Sequence, residues 1–163
     1  MPTSVNRLNM PLLYLIIAAV IALGSAYGSQ YIGDLQPCKL CLYQRWSWWT
    51  ALSLAGLTFV LPAPVEIKKR ALILIGVVLV VGGAIAIYQT GVEQKWWPGP
   101  AACSGVAELP ESLSELHSSL QRRAPIRCDE ISWSFMGISM AGYNAIASGT
   151  ASLFAFSTVL RKL

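Results

Sequence analysis

The sequence predicts an all-α membrane protein: an antiparallel four-helix transmembrane bundle with a short amphipathic helix in its second outer loop. Three observations predict it. The 163 residues are 55% hydrophobic and 12% charged, where soluble domains carry about 25% charged residues. The twelve basic and eight acidic residues are gathered so that four charge-free runs remain, Leu8 to Gly33, Trp46 to Val65, Ala71 to Val92 and Ile131 to Leu160. Each run reaches the roughly 20 apolar residues that a helix needs to cross the hydrocarbon layer, where backbone groups must be satisfied within the segment.

Taken in order, the spans are expected at about residues 10–29, 43–61, 71–90 and 137–160, with outer loops at about 30–42 and 91–136, all within one domain, 1–163. The first run follows Arg7 and ends near the small residues Gly24, Ser25 and Ala26, as a signal peptide could. It is longer than the usual apolar core of about 7–15 residues, so an uncleaved helix is expected. The link between the second and third spans contains Lys68, Lys69 and Arg70. That density of positive charge assigns the link and both termini to the cytoplasm, although six basic residues lie on either side. The net charge of +4 comes from residues scattered or set beside helix ends, so no nucleic-acid surface is expected.

The six tryptophans, Trp46, Trp48, Trp49, Trp96, Trp97 and Trp133, cluster near the outer ends of spans and are expected to form one interfacial belt. In the second outer loop Leu109, Leu113, Leu116 and Leu120 fall on one helical face, with Pro110 and Glu111 at the start and Arg122 and Arg123 at the end. This is the expected amphipathic helix, lying on the membrane surface with His117 beside its leucine stripe.

All four cysteines, Cys38, Cys41, Cys103 and Cys128, fall in the outer loops, which suits an oxidising compartment. Cys38 and Cys41 form a CxxC directly before the second span. A bridge over so short a loop stabilises little, about 2 kcal/mol on a chain-entropy estimate. Thiols at a helix N-terminus gain thiolate character, so a redox role fits better. Arg45, four residues after Cys41, is expected to share its face and favour the thiolate. Cys103 and Cys128, if bridged, would close about 26 residues and contribute roughly 3.5 kcal/mol, a respectable structural staple. A second redox pair is the preferred reading, because a redox-active CxxC beside a membrane needs a mobile pair to carry electrons to it from soluble substrates. The spacing lacks the two close cysteine pairs of a structural zinc site, so no metal is expected.

Several blocks resemble the bacterial disulfide bond formation protein B (DsbB) family over nearly the whole chain: Pro37 to Arg45 with its P-C-x-L-C-x-x-x-R pattern, Gly91 to Gln94, Pro100 with Cys103, and Arg127 to Glu130 continuing through Trp133, Gly137 and Ser139 to Ala141. The resemblance implies redox-active disulfides Cys38–Cys41 and Cys103–Cys128 in periplasmic loops of a bacterial inner-membrane protein. A periplasmic DsbA-like thiol oxidase would exchange with Cys103, Cys38 would exchange with the outer-loop pair, and Cys41, assisted by Arg45, would pass electrons to ubiquinone or menaquinone. Met140 would form a wall of the quinone pocket. Many relatives have a histidine in a Tyr-His-x-Gly-Val-Glu stretch where this chain reads Tyr88-Gln89-Thr90-Gly91-Val92-Glu93. The competing expectations are a thiol reductase working in the opposite direction and a small membrane assembly protein whose cysteines are structural.

Overall fold

The computed structural model describes residues 3–100 and 127–161. Cys103, the amphipathic helix expected near residues 109–120 and His117 lie outside the described residues. Among the described residues there are four helices, α1 (Thr3–Tyr31), α2 (Lys39–Val60), α3 (Val65–Glu93) and α4 (Met140–Leu160), with a two-stranded hairpin, β1 (Ser134–Phe135) and β2 (Ile138–Ser139), just before α4.

Two of these helices contain stretches long and apolar enough to cross a membrane, Leu8–Tyr31 in α1 and Val65–Glu93 in α3. The other two have comparable length, 22 residues in α2 and 21 in α4. Their apolar character is diluted by Trp46, Trp48 and Trp49 in α2, and by Asn144 with a series of serines and threonines in α4.

The core is built from one narrow stripe per helix. Leu8, Leu12, Leu15, Ala19 and Leu23 are buried along α1 at helical spacing, and they meet Trp48, Ala51 and Ala55 of α2, Leu72, Ile75 and Leu79 of α3, and Ala151, Ala155 and Val159 of α4. Outward faces are apolar as well: Ile17, Val20 and Ile21 of α1, Leu74, Val77, Val80 and Val81 of α3, and Leu153 of α4 are exposed. Helices apolar on their outward as well as their inward faces suit lipid rather than water.

Helix α3 is the central element, packing most extensively on α4 and α2; α2 packs on α1, while α1 and α4 meet much less. Close approach to α3 depends on its glycines. A Cβ at Gly76 would stand 2.7 Å from the Phe156 ring, and one at Gly82 would stand 2.7 Å from the Ser47 Cβ. The sparse seam between α1 and α4 leaves room for a cavity.

The hairpin was not anticipated from the sequence. Ser134 pairs with Ser139 and Phe135 with Ile138 around a two-residue turn, and both turn residues have positive φ, 50° at Met136 and 78° at Gly137. That is the turn geometry matching strand twist, and Gly137 enters it without steric cost. Because the hairpin occupies the segment up to Ser139, α4 starts at Met140 rather than at residue 137. Ser139 caps it, its Oγ accepting the Gly142 N–H at 3.2 Å.

One further expectation is corrected. Trp48 does not belong to an interfacial belt: it is 4% exposed and its indole N–H donates to Asn144 Oδ1 at 2.7 Å, whereas the other five tryptophans are substantially exposed. Its place on the buried stripe of α2 decides this. Lys68, whose charge belongs to the link between α2 and α3, is buried against α1 with Nζ donating to Asn9 Oδ1 at 2.5 Å.

Candidate active site

Helix α2 begins at the CxxC. Cys38 is its N-cap, with extended backbone, and its sulfur accepts the Cys41 N–H at 3.2 Å, the bond that a serine or aspartate oxygen usually makes. Both sulfurs are therefore held at the positive end of α2. Cys38 and Cys41 are free thiols, Cys38 buried and Cys41 half-buried. The hydrogen bond shared with Cys41, followed by burial, pushes the Cys38 thiol well above the ordinary range.

Sequence reasoning set Arg45 beside the Cys41 sulfur. The structure places other groups there. The Arg45 guanidinium turns toward α1, bonding Gln30 Oε1 and, at 2.9 Å, the Ala26 carbonyl, with its Cζ 4.9 Å from the centroid of the Tyr27 ring. The neighbour of Cys41 is Gln89 of α3, whose Nε2 lies 3.3 Å from the sulfur.

Gln89 ends a directional chain of buried polar groups. Trp48 Nε1 donates to Asn144 Oδ1 at 2.7 Å, Asn144 Nδ2 to Gln44 Oε1 at 2.6 Å, and Gln44 Nε2 to Gln89 Oε1 at 2.6 Å. Gln89 Nε2 then donates to Cys41 and, at 3.1 Å, to Glu93 Oε1. Every amide orientation follows from its neighbour, and such chains strengthen cooperatively in a low-dielectric interior. Three helices, α2, α3 and α4, are tied together at the level of Cys41. Gln44, Asn144 and Glu93 were missed as site residues. The available signal was a polar residue inside an apolar run, which marks function by its cost.

Cys41 and Arg45 line one large cavity of about 1110 Å³ in the seam between α1 and α4, together with Gln89, Glu93 and Met140. Met140 lies where the Ser29 hydroxyl reaches its sulfur at 3.8 Å. Much of the remaining lining is apolar, with Ile17, Ile21, Ala147 and Ala151.

Cys128 is disulfide-bonded and 1% exposed, and it shares a small apolar cluster with Cys38 and Leu40. The following residue holds it there. Asp129 accepts hydrogen bonds from Arg127 Nε at 3.0 Å and Nη2 at 2.8 Å, and from Lys95 Nζ, beyond the end of α3, at 2.7 Å. The Arg127 bonds first, then the Lys95 bond, hold the Asp129 carboxyl well below the usual range.

A helical bundle with two helices long and apolar enough to cross a membrane and a dithiol at a helix N-terminus, packed against a third cysteine, has the character of a membrane thiol–disulfide protein. The chain belongs to the family described as disulfide bond formation protein DsbB, whose sequence model matches residues 8–158. It is 31% identical to Disulfide bond formation protein B of Hahella chejuensis, covering 96% of this chain and 95% of that one. It is 28% identical to the protein of the same name from Aromatoleum aromaticum, over 92% of each chain. A protein of Rickettsia prowazekii called Uncharacterized protein RP370 is 29% identical over 86% of this chain and 81% of its own. No solved structure gives a significant match. Family membership makes the chain a disulfide bond formation oxidoreductase.

Proposed function

We propose that the protein is a quinone-dependent thiol:disulfide oxidoreductase of the bacterial inner membrane that reoxidises a periplasmic DsbA-like dithiol through two cysteine pairs. The observation that carries this reading is the placement of Cys41, which faces the cavity on one side while its CxxC partner Cys38 packs in one cluster with Cys128 on the other.

The cavity fits a quinone. It offers polar groups at the Cys41 end and an apolar corridor between α1 and α4, and its volume of about 1110 Å³ accommodates a flat headgroup with part of an isoprenoid tail. Cys41, Gln89 and Arg45 would hold the headgroup, with Met140 as a wall; bound there, quinone supplies a two-electron acceptor. A DsbA-like partner is itself strongly oxidising, near −120 mV, so its reoxidation calls for an acceptor of higher potential than a glutathione pool.

The cysteines do the rest. The partner's thiolate attacks the Cys103–Cys128 disulfide at Cys103 and leaves oxidised, with Cys103 and Cys128 reduced. That dithiol then reduces a Cys38–Cys41 disulfide through Cys38. The reduced pair, with Cys41 as the sulfur facing the cavity, delivers two electrons and two protons to the acceptor, and the Cys38–Cys41 bond re-forms. Both termini and the Lys68 to Arg70 link would face the cytoplasm, as their charge density favours.

Purified protein supplied with ubiquinone or menaquinone and a reduced DsbA-like protein is expected to reduce the quinone rapidly, and Cys41→Ala and Cys103→Ala are each expected to abolish turnover. An inert wild type with intact disulfides would favour purely structural cysteines.

A further inference from the structure

The relay leaves unused a buried carboxyl at the edge of the same cavity. Glu93 is 9% exposed and lines the cavity with Cys41 and Gln89. Its Oε1 accepts from Gln89 Nε2 at 3.1 Å. Its Oε2 is buried and, among the described residues, has no hydrogen-bond partner. The Ser139 hydroxyl is its polar neighbour and favours its charged form; Ser139 Oγ accepts the Gly142 N–H at 3.2 Å and keeps its own proton to donate, yet Oε2 lies outside hydrogen-bond geometry with it.

The direction of the polar chain settles what Oε2 can do. Trp48, Asn144, Gln44 and Gln89 each donate onward, so the chain terminates on two acceptors, the Cys41 sulfur and Glu93 Oε1. With Oε1 in that role, Oε2 is either the bare half of a carboxylate or the hydroxyl of a neutral acid. A bare carboxylate oxygen buried without a partner is the costlier state, and a negative charge there opposes a thiolate at Cys41, which lies within its electrostatic reach. The neutral acid satisfies both constraints and leaves one O–H without an acceptor at the cavity wall. The other titratable or charged groups on that wall are Tyr14 of α1, Arg45 of α2 and Tyr143 of α4.

We propose that Glu93 is a catalytic acid: its Oε2–H donates to a carbonyl oxygen of the quinone bound beside Cys41 and protonates that oxygen during reduction. The inference rests on the quinone reading and adds a residue to it. Formation of the Cys38–Cys41 bond releases two electrons and two protons. The electrons go to the quinone, the Glu93 proton goes to one of its carbonyl oxygens, one thiol proton restores the acid, and the other completes the hydroquinone. Gln89 positions the carboxyl and touches the reacting sulfur, coupling the two ends of the transfer.

The test uses the full chain in lipid nanodiscs with a short-chain benzoquinone. Difference infrared spectra are expected to show a carboxylic-acid C=O band in wild type that shifts when the quinone is added and is missing in Glu93→Gln. Glu93→Gln keeps a donor at this position, so its quinone affinity is expected within about threefold of wild type, while single-turnover quinone reduction falls about 100-fold and its pH profile changes shape. Glu93→Ala is expected to weaken quinone binding about tenfold. Wild-type reduction rates in Glu93→Gln, or a band indifferent to the quinone, overturn the proposal while leaving the quinone reading intact. A wild type that binds no quinone overturns both, and the infrared arm on wild type decides the matter even if the variants fail to fold.

Discussion

Cys38 and Cys41 illustrate how one short motif produces two unlike sulfurs. Sharing a helix N-terminus makes both more acidic in principle, but the N-cap geometry buries Cys38 and turns Cys41 toward the cavity. In the reduced protein at neutral pH, iodoacetamide is expected to label Cys41 at least about tenfold faster than Cys38, whose thiol is held above its ordinary range and is therefore short of thiolate. Peptide mass spectrometry over a time course reads this directly, and equal labelling would contradict the N-cap arrangement. The motif's place at the start of a helix was legible. The identity of its neighbour was not, because Arg45 was placed by helical spacing alone, which specifies a face and not where a long side chain ends. Gln30, the Ala26 carbonyl and the Tyr27 ring, all from α1, drew the guanidinium away.

The helices were legible because charge-free runs and helical geometry are local properties. Their mutual distances were not. Gly82 reads as one glycine among several in an apolar run, yet its missing side chain lets α2 approach with Ser47. Gly82→Leu is expected to destabilise the bundle by about 1–3 kcal/mol, measured by SDS-induced unfolding in mixed micelles. Gly24, with nothing within 4 Å of its Cβ position, is expected to tolerate leucine. The short segment after Cys128 makes a second case. The folded Asp129 carboxyl is held below its unfolded value, so its clasp on Lys95 and Arg127 contributes fully above the ordinary carboxylate pKa of about 3.9 and is lost as pH falls through the lower folded value. Asp129→Asn at neutral pH is expected to speed reduction of the Cys128 disulfide by dithiothreitol, and acidification of wild type below that range is expected to speed its reduction by a water-soluble phosphine, which needs no thiolate. High salt is expected to act in the same direction.

For the molecule as a whole, the apolar exterior, the dithiol end and the basic Lys68 to Arg70 end define an axis, and the proposed orientation across the membrane follows from it. In intact cells whose outer membrane is permeabilised, a membrane-impermeant maleimide is expected to label Asp34→Cys, while Lys69→Cys is labelled only after the inner membrane is opened. The reverse pattern would invert the topology and place the cysteines on the reducing side. The cavity is also a property of the assembled chain: it exists because α3 holds α2 and α4 closely while α1 and α4 meet sparsely.

Composition, charge spacing and the cysteine blocks carried the helical membrane class, the family and the reactive motif, since each depends on residues near one another along the chain. The burial of Trp48 and the chain from Trp48 through Gln89 to Cys41 depended on residues between 45 and 100 positions apart meeting in space, and the unpartnered oxygen of Glu93 exists only in that setting; the hairpin before α4 is local but lay inside a charge-free run. Helix periodicity says which face a residue occupies, and only packing says which polar atom from another helix stands opposite it.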